Sequence, residues 1–130
     1  MRETAGGAPI KDGMILLGLR SAALDYYPST WDIFGGHLEA GDTPEQALVR
    51  EFQEELGIVP IDFTCIAVKE EPNPAAYGPG RHHVYVIRTW TGIPRNLSDE
   101  HQEIAWFELG DLDNLALASD AYPRLFGGYG

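Results

Sequence analysis

The chain has 130 residues, of which 20 are Asp or Glu and 9 are Lys or Arg, so its formal charge is −11. This length predicts one domain covering residues 1–130, and a hydrophobic share of 44% excludes a disordered acidic chain. The acidic excess excludes nucleic-acid polymers and anionic membrane surfaces as partners, because both are bound through clustered Lys and Arg.

The N-terminal residues lack the apolar stretch of a secretory signal, and no apolar run approaches the roughly 18–20 residues of a membrane span. Cys65 is the single cysteine and cannot form an internal disulfide. These features predict a protein of the reducing cytoplasm.

The first predicted strand covers residues 13–19, where the apolar run MILL precedes Arg20. A loop over residues 21–30 follows, and strand-like residues return at 31–34. The glycines at 35 and 36 are expected to end that strand, and Gly41 with Asp42 indicates a turn.

A helix is predicted to begin after Thr43, which can cap its first turn. Pro44 suits the first helical position, and Gln46 completes a capping box with Thr43. The helix should run to Leu56, with Gly57 adopting the left-handed conformation that ends it.

Two further strands are predicted at 61–68 and 82–90, joined by a loop rich in Pro and Gly. A last strand is expected at 104–109, with short helical pieces around 111–115 and 119–126. Strands on both sides of one strong helix predict an α/β domain with a mixed sheet.

Three glutamates of the predicted helix share one side, because Glu51, Glu54 and Glu55 are spaced i, i+3 and i+4. Like charges at these spacings destabilise an isolated helix by about 0.2–0.5 kcal/mol per pair, and a divalent cation would reverse the sign of that effect. The spacing alone is compatible with two interpretations, a solvated helix face or a site for Mg²⁺ or Mn²⁺, which prefer oxygen ligands.

The segment GHLEAGD (36–42), seven further residues and the segment REFQEELGI (50–58) form one longer motif. This motif resembles the Nudix box, G-x5-E-x7-R-E-U-x-E-E-x-G-U, in which U is a bulky aliphatic residue. Two positions differ from the pattern, since Asp42 replaces a glutamate and Phe52 replaces an aliphatic residue. The resemblance implies the Nudix-type α/β/α sandwich with a mixed β-sheet.

The resemblance also implies a metal site and a catalytic base. The implied metal ligands are the Gly36 carbonyl and the carboxylates of Glu51, Glu54, Glu55 and Glu100. Glu100 is included because the segment DEHQEIAWF (99–107) is similar to the segment that supplies a further glutamate in MutT-like proteins. Glu103 is the alternative to Glu100 in this segment. Either Glu54 or Glu51 would accept a proton from the attacking water, and the residues do not decide between them. Arg50 would orient a glutamate.

Substrate contacts are expected from Arg20, Glu39, Arg81 and Asp120, which lie near positions where Nudix proteins contact phosphate or base. MutT-like proteins favour Asn at the position of Asp120, so the Asp argues against recognition of an oxidised guanine base. Trp106 is expected to belong to the core.

The implied activity is that of a Mg²⁺-dependent pyrophosphohydrolase acting on a nucleoside diphosphate linked to another group. A nucleoside triphosphate, oxidised forms included, is the favoured substrate, and nucleotide sugars or ADP-ribose are the alternative. A catalytically silent nucleotide-binding domain is the alternative of another class. The partner is then a small nucleotide, and the family resemblance is compatible with a monomer or a homodimer.

Overall fold

The structure is a computed structural model that describes residues 1–129. Its strands are β1 (Arg2–Lys11), β2 (Met14–Arg20), β3 (Trp31–Asp32), β4 (Phe34–His37), β5 (Val59–Glu70), β6 (Gly80–Thr91) and β7 (His101–Glu108). Its α-helices are α1 (Pro44–Leu56), α2 (Pro74–Tyr77) and α3 (Tyr122–Phe126), with 3₁₀ turns at Leu109–Asn114 and Gly127–Tyr129.

Strand β1 lies at the centre of a seven-stranded mixed sheet of order β3-β2-β1-β6-β5. It pairs in parallel with β6 and antiparallel with β2 and β4, whereas β7 pairs with β2. Strand β1 was not predicted, because its segment AGGA (5–8) carries small residues in place of the β-branched and aromatic ones typical of strands. These small residues let neighbouring strands approach β1 closely.

Strand β4 corrects the expectation that the glycine doublet ends a strand. Residues Phe34–His37 pair with β1 in an antiparallel register that sets Gly35 opposite Gly6. A Cβ atom on Gly35 would lie 2.1 Å from the carbonyl oxygen of Ala5, so only glycine fits against β1 at this point. Strand β4 therefore continues through both glycines, since the absence of a side chain lets its backbone lie close to that of β1.

Helix α1 has the predicted bounds and caps. The Thr43 hydroxyl accepts a hydrogen bond from the Gln46 N–H, the Gln46 side chain accepts one from the Thr43 N–H, and Gly57 is left-handed with φ of 70°. Leu48, Phe52 and Leu56 are fully buried against the sheet. This packing fixes the rotation of the helix and therefore decides where its glutamates point.

Helices cover both faces of the sheet and form two apolar cores. Tyr85 and Ile87 pack on the side of α1, whereas Val84 and Val86 pack on the side of α3, as the strand alternation predicts. The expected α/β/α sandwich with a mixed sheet is confirmed. Within residues 1–129, no helix has the length and apolar character needed to cross a membrane.

The expectation that Trp106 is a core residue is wrong. Its side chain is 38% exposed and stacks on Trp90, with 6.1 Å between ring centroids. Strand β7 lies at the edge of the sheet beyond β2, where alternate side chains face solvent. It also begins at His101, three residues before the predicted start, which moves His101 from a loop into the sheet.

Candidate functional site

A cavity of about 560 Å³ opens between the glycine doublet of β4, helix α1 and the start of β7. One end is lined by Gly35, Gly36, Glu51, Glu55 and Glu100, which are separated by up to 65 positions in the sequence (100 minus 35). The fold thus brings together most of the predicted carboxylate set. A cavity of this size is typical of sites for small-molecule ligands.

Glu51 presents its carboxylate to the cavity from the middle of α1. Burial and then the neighbouring Glu55 and Glu54 raise the pKa of Glu51 from 4.5 to about 7. The carboxylate lies directly against Gly36, where a Cβ atom would be 2.5 Å from the Glu51 Cδ atom. Gly36 therefore provides the space that the Glu51 carboxylate occupies.

The raised pKa of Glu51 predicts a pH-dependent stability of the metal-free protein. A carboxyl whose folded-state pKa exceeds its unfolded value stabilises the fold most at pH below about 4.5, and this contribution is lost as the pH rises through about 7. We therefore expect the melting temperature of the wild type to fall across this interval relative to Glu51→Gln, measured by thermal denaturation in EDTA. Added Mg²⁺ should reduce the difference, and parallel curves in EDTA would contradict the assigned pKa.

Glu55 is buried, and it links the helix to two other elements. Its Oε2 accepts a hydrogen bond from the Gly35 N–H at 2.9 Å, and its Oε1 lies 3.3 Å from Nε2 of His101. Burial raises the pKa of Glu55, whereas the hydrogen bond from His101 opposes that increase. His101 was not among the predicted site residues, although its position directly after Glu100 was an available signal.

The remaining predicted carboxylates have different surroundings. Glu54 is exposed and, in the described part of the chain, is not among the cavity-lining residues, although its charge contributes to the raised pKa of Glu51. Glu100 is exposed at the rim, where its carbonyl accepts a hydrogen bond from the Ser21 N–H at 2.8 Å. Glu103, on β7, is exposed and is not among the cavity-lining residues in the described part of the chain. The shared helix side thus divides into a cavity-facing, a buried and a solvent-facing carboxylate.

The donor chemistry at this end of the cavity suits a magnesium ion. Glu51, Glu55 and Glu100 supply carboxylate oxygens, and burial followed by the charges of Glu55 and Glu54 raises the pKa of Glu51. Within residues 1–129, no three His, Cys, Asp or Glu side chains form a group that could hold a metal ion by themselves. A Mg²⁺ ion bound here would therefore need oxygen ligands from water or substrate phosphates in addition to the carboxylates.

Arg50, on helix α1, binds the end of β4 and the turn that precedes the helix. Its guanidinium donates to Asp42 at 2.7 Å and to the His37 carbonyl at 3.2 Å, and it lies 3.9 Å from Glu51. Hydrogen bonds from the Glu39 backbone and then from Arg50 lower the pKa of Asp42. The shorter Asp42, which departs from the motif, therefore still reaches Arg50.

Another part of the cavity lining is polar, and most of its residues were not anticipated. Arg20, which is predicted to contact substrate, lines the cavity, and its guanidinium lies 3.5 Å from Asp32. The Tyr122 hydroxyl donates to Asp32, whose pKa is raised by burial. Tyr122 was not among the predicted site residues, because it lies 90 positions from Asp32 in the sequence.

A second set of polar residues lines the cavity beside β6. Glu71 is buried, accepts a hydrogen bond from the Tyr27 hydroxyl at 2.5 Å and pairs with Arg2 at 3.3 Å. Burial alone would raise the pKa of Glu71, but hydrogen bonds from Tyr27, the Asn73 backbone and His82 outweigh it and lower the pKa. These contacts tie the 21–30 loop to β1 and β6 and shape that wall.

The other predicted substrate residues lie at or beyond the rim. Glu39 is exposed at the cavity edge. Arg81 pairs with Glu3 and Glu70 on the strand surface, and Asp120 is exposed; neither lines the cavity within residues 1–129.

The chain is similar to known proteins over nearly its whole length. The family model described as "NUDIX domain" matches residues 1–126. An 8-oxo-dGTP diphosphatase of Escherichia coli K12 is 34% identical over 107 residues, which cover 80% of this chain and 74% of the relative. A nucleoside triphosphatase NudI of Salmonella arizonae is 31% identical over 128 residues, covering 87% and 91%.

Solved structures show the same architecture. A MutT NUDIX hydrolase from Burkholderia pseudomallei has a TM-score of 0.86 and 30% identity, covering 99% of this chain and 98% of that one. The E. coli ORF135 protein has a TM-score of 0.78 and 27% identity, covering 99% and 88%.

Proposed function

The chain belongs to the Nudix family and is a hydrolase of phosphoric anhydrides, and on that premise we propose that it is a Mg²⁺-dependent pyrophosphohydrolase of nucleoside triphosphates. The supporting observation is that the motif carboxylates Glu51 and Glu55 line the same cavity as Glu100 and the polar residues Arg20 and Asp32. The carboxylate end suits a metal-bound polyphosphate. The remaining volume suits a nucleoside.

In the proposed reaction, water attacks a phosphorus atom, the anhydride P–O bond breaks, and the bond electrons leave with the departing phosphate oxygen. Glu51 is the favoured acceptor of the proton of that water, because its carboxylate lines the cavity, and Glu54 is the alternative. A bound Mg²⁺ would neutralise phosphate charge and lower the pKa of water. Arg50 holds the end of β4, at His37, and the Glu51 carboxylate in place.

The metal set proposed for this chain consists of Glu51, Glu54, Glu55, Glu100 and the Gly36 carbonyl. Glu51, Glu55 and Glu100 line the cavity, and Glu54 lies one turn from Glu51 on the exposed side of α1. Arg20 is the cation of the cavity lining that is proposed to contact substrate. Glu39, Arg81 and Asp120 are proposed for the rim, where substrate enters.

Triphosphates are favoured as substrates because two relatives named for them, an 8-oxo-dGTP diphosphatase and a nucleoside triphosphatase, align with four fifths or more of this chain. The test is a panel of the common and oxidised nucleoside triphosphates, nucleotide sugars and ADP-ribose, assayed with Mg²⁺ and with product identification. We expect turnover of at least one triphosphate, and the products identify the bond cleaved. Turnover of nucleotide sugars or ADP-ribose alone would refute the triphosphate assignment.

The same panel separates an enzyme from a silent binding domain, which would bind nucleotide without turnover. We further propose a cytoplasmic protein that acts on small nucleotides, with no nucleic-acid or membrane partner, as a monomer or homodimer. The charge of −11 supports this proposal, because polyanions would be repelled unless they arrive with a cation.

A further inference from the structure

We propose that His101 is a positioning residue of the active site, which holds Glu55 against the backbone of Gly35 by donating a hydrogen bond from Nε2. The proposal rests on the hydrolase function for its kinetic consequences. Its structural content can be measured without turnover.

The contact between His101 and Glu55 is buried and connects distant parts of the chain. The two side chains are 2% and 7% exposed, and Nε2 lies 3.3 Å from Oε1. The other oxygen of Glu55 accepts the Gly35 N–H at 2.9 Å. Loss of one of these donors would leave a buried carboxylate oxygen without a hydrogen-bond partner, so His101 helps to hold Glu55 in this orientation.

The orientation of the His101 ring follows from its second nitrogen. Nδ1 is buried and has no hydrogen-bond partner among the described residues, whereas Nε2 faces a carboxylate. A proton on Nδ1 would be a buried donor without an acceptor, so the arrangement favours the tautomer protonated on Nε2. That tautomer donates to Glu55.

The surrounding fold makes specific room for this ring. A Cβ atom on Gly18, in the middle of β2, would lie 2.6 Å from Nδ1 of His101. The ring packs edge-on against Phe34, with centroids 5.1 Å apart, and the side-chain amide of Asn96 donates to the His101 carbonyl at 2.7 Å. The register between β2 and β7 also shifts at Arg20, which pairs with His101. Gly18 and Phe34 therefore pack against the ring, and the hydrogen bond from Asn96 fixes the backbone of His101.

The consequence reaches the reacting end of the cavity. Glu55 fixes the backbone at Gly35, and the next residue, Gly36, lies directly against the Glu51 carboxylate. Glu100 precedes His101 and lines the same cavity. A change in His101 would thus displace Glu51 and Glu100 together without removing any carboxylate.

The experiment compares His101→Phe, which keeps a planar ring beside Phe34 but removes the donor, with His101→Gln, which keeps a donor at the position of Nε2. We expect Phe to lower kcat by about 10–100-fold with a smaller change in KM, and Gln to restore kcat to within a few fold. The direct readout is amide hydrogen exchange at Gly35 by NMR. It should accelerate about tenfold in the Phe variant and remain near wild type in the Gln variant.

Unchanged Gly35 exchange and kcat in the Phe variant would overturn the proposal, as would equal losses in Phe and Gln, because ring packing alone would then explain the effect. If the Phe variant has no cooperative thermal transition, Gln is compared with His101→Asn, whose shorter amide falls short of Glu55. A wild type inactive on the whole substrate panel would refute the proposed function. The exchange measurement would still decide the role of His101.

Discussion

Replacing Glu51 by Gln is expected to lower kcat for the nucleoside triphosphate substrate by about a thousandfold. The substitution keeps the shape of the side chain but removes the group that accepts a proton and the charge that faces the cavity. Because the buried carboxylate is itself costly, the free energy of unfolding of the metal-free variant should not decrease. Steady-state kinetics with Mg²⁺ and thermal denaturation in EDTA measure the two effects.

Glu108→Gln is the matched control, since Glu108 is exposed at the far end of β7 and lies outside the cavity lining within residues 1–129. It makes the same change in charge and should leave kcat within twofold of wild type, on the order expected for a surface substitution. Unchanged turnover in both Glu51→Gln and Glu54→Gln would contradict the assignment of the proton acceptor to helix α1.

Gly36→Ala is expected to lower kcat by about a hundredfold while the fold stays stable. The added Cβ would lie 2.5 Å from Cδ of Glu51, and the nearest atoms it would meet are those of the Glu51 carboxylate, a flexible group that can move. Restoring an ordinary contact requires a shift of about 1 Å, and a misplacement of that size can cost about a hundredfold in rate. Steady-state kinetics and a melting temperature near the wild-type value test this prediction.

The adjacent substitution Gly35→Ala should differ by destabilising the fold itself. Its Cβ would meet backbone atoms, 2.1 Å from the Ala5 carbonyl oxygen and 2.5 Å from the Gly6 Cα, so β1 and β4 would have to separate. We expect a loss of about 2–3 kcal/mol in the free energy of unfolding. Gly110→Ala is the control for both, because it has open space around it. Similar losses of stability at 35 and 36 would refute the distinction between the two glycines.

The sequence by itself determined the features that depend on local interactions. The capping box of Thr43 and Gln46 and the stop at Gly57 are contacts within a few residues, and the structure confirms helix α1 from Pro44 to Leu56. The alternation of β6 likewise placed Tyr85 and Val84 on opposite faces. Such features are readable because the helix and strand periods relate sequence spacing directly to direction.

The family and its reaction class were readable for a different reason. The spacing of the glycines, Arg50 and the three helix glutamates forms a motif long enough to be specific, and the family match over residues 1–126 agrees with it. The motif (36–58) does not contain the other polar residues of the cavity lining, Arg20, Asp32, Glu71 and Tyr122. It therefore carries the chemistry of the phosphate end and little about the nucleoside.

Only the tertiary structure decided how the glutamates differ and which other residues join them. Glu51 faces the cavity, Glu54 faces solvent and Glu55 is buried, because the packing of Leu48, Phe52 and Leu56 sets the rotation of α1.

The missed residues share one physical cause. His101 meets Glu55 across 46 positions, and Tyr122 meets Asp32 across 90. Strand β1 was missed because its small residues have weak intrinsic strand preference, and the pairing with β4 and β6 stabilises it. These contacts depend on which surfaces the folded sheet brings within a few ångströms, and neither spacing nor residue preference along the chain contains that distance.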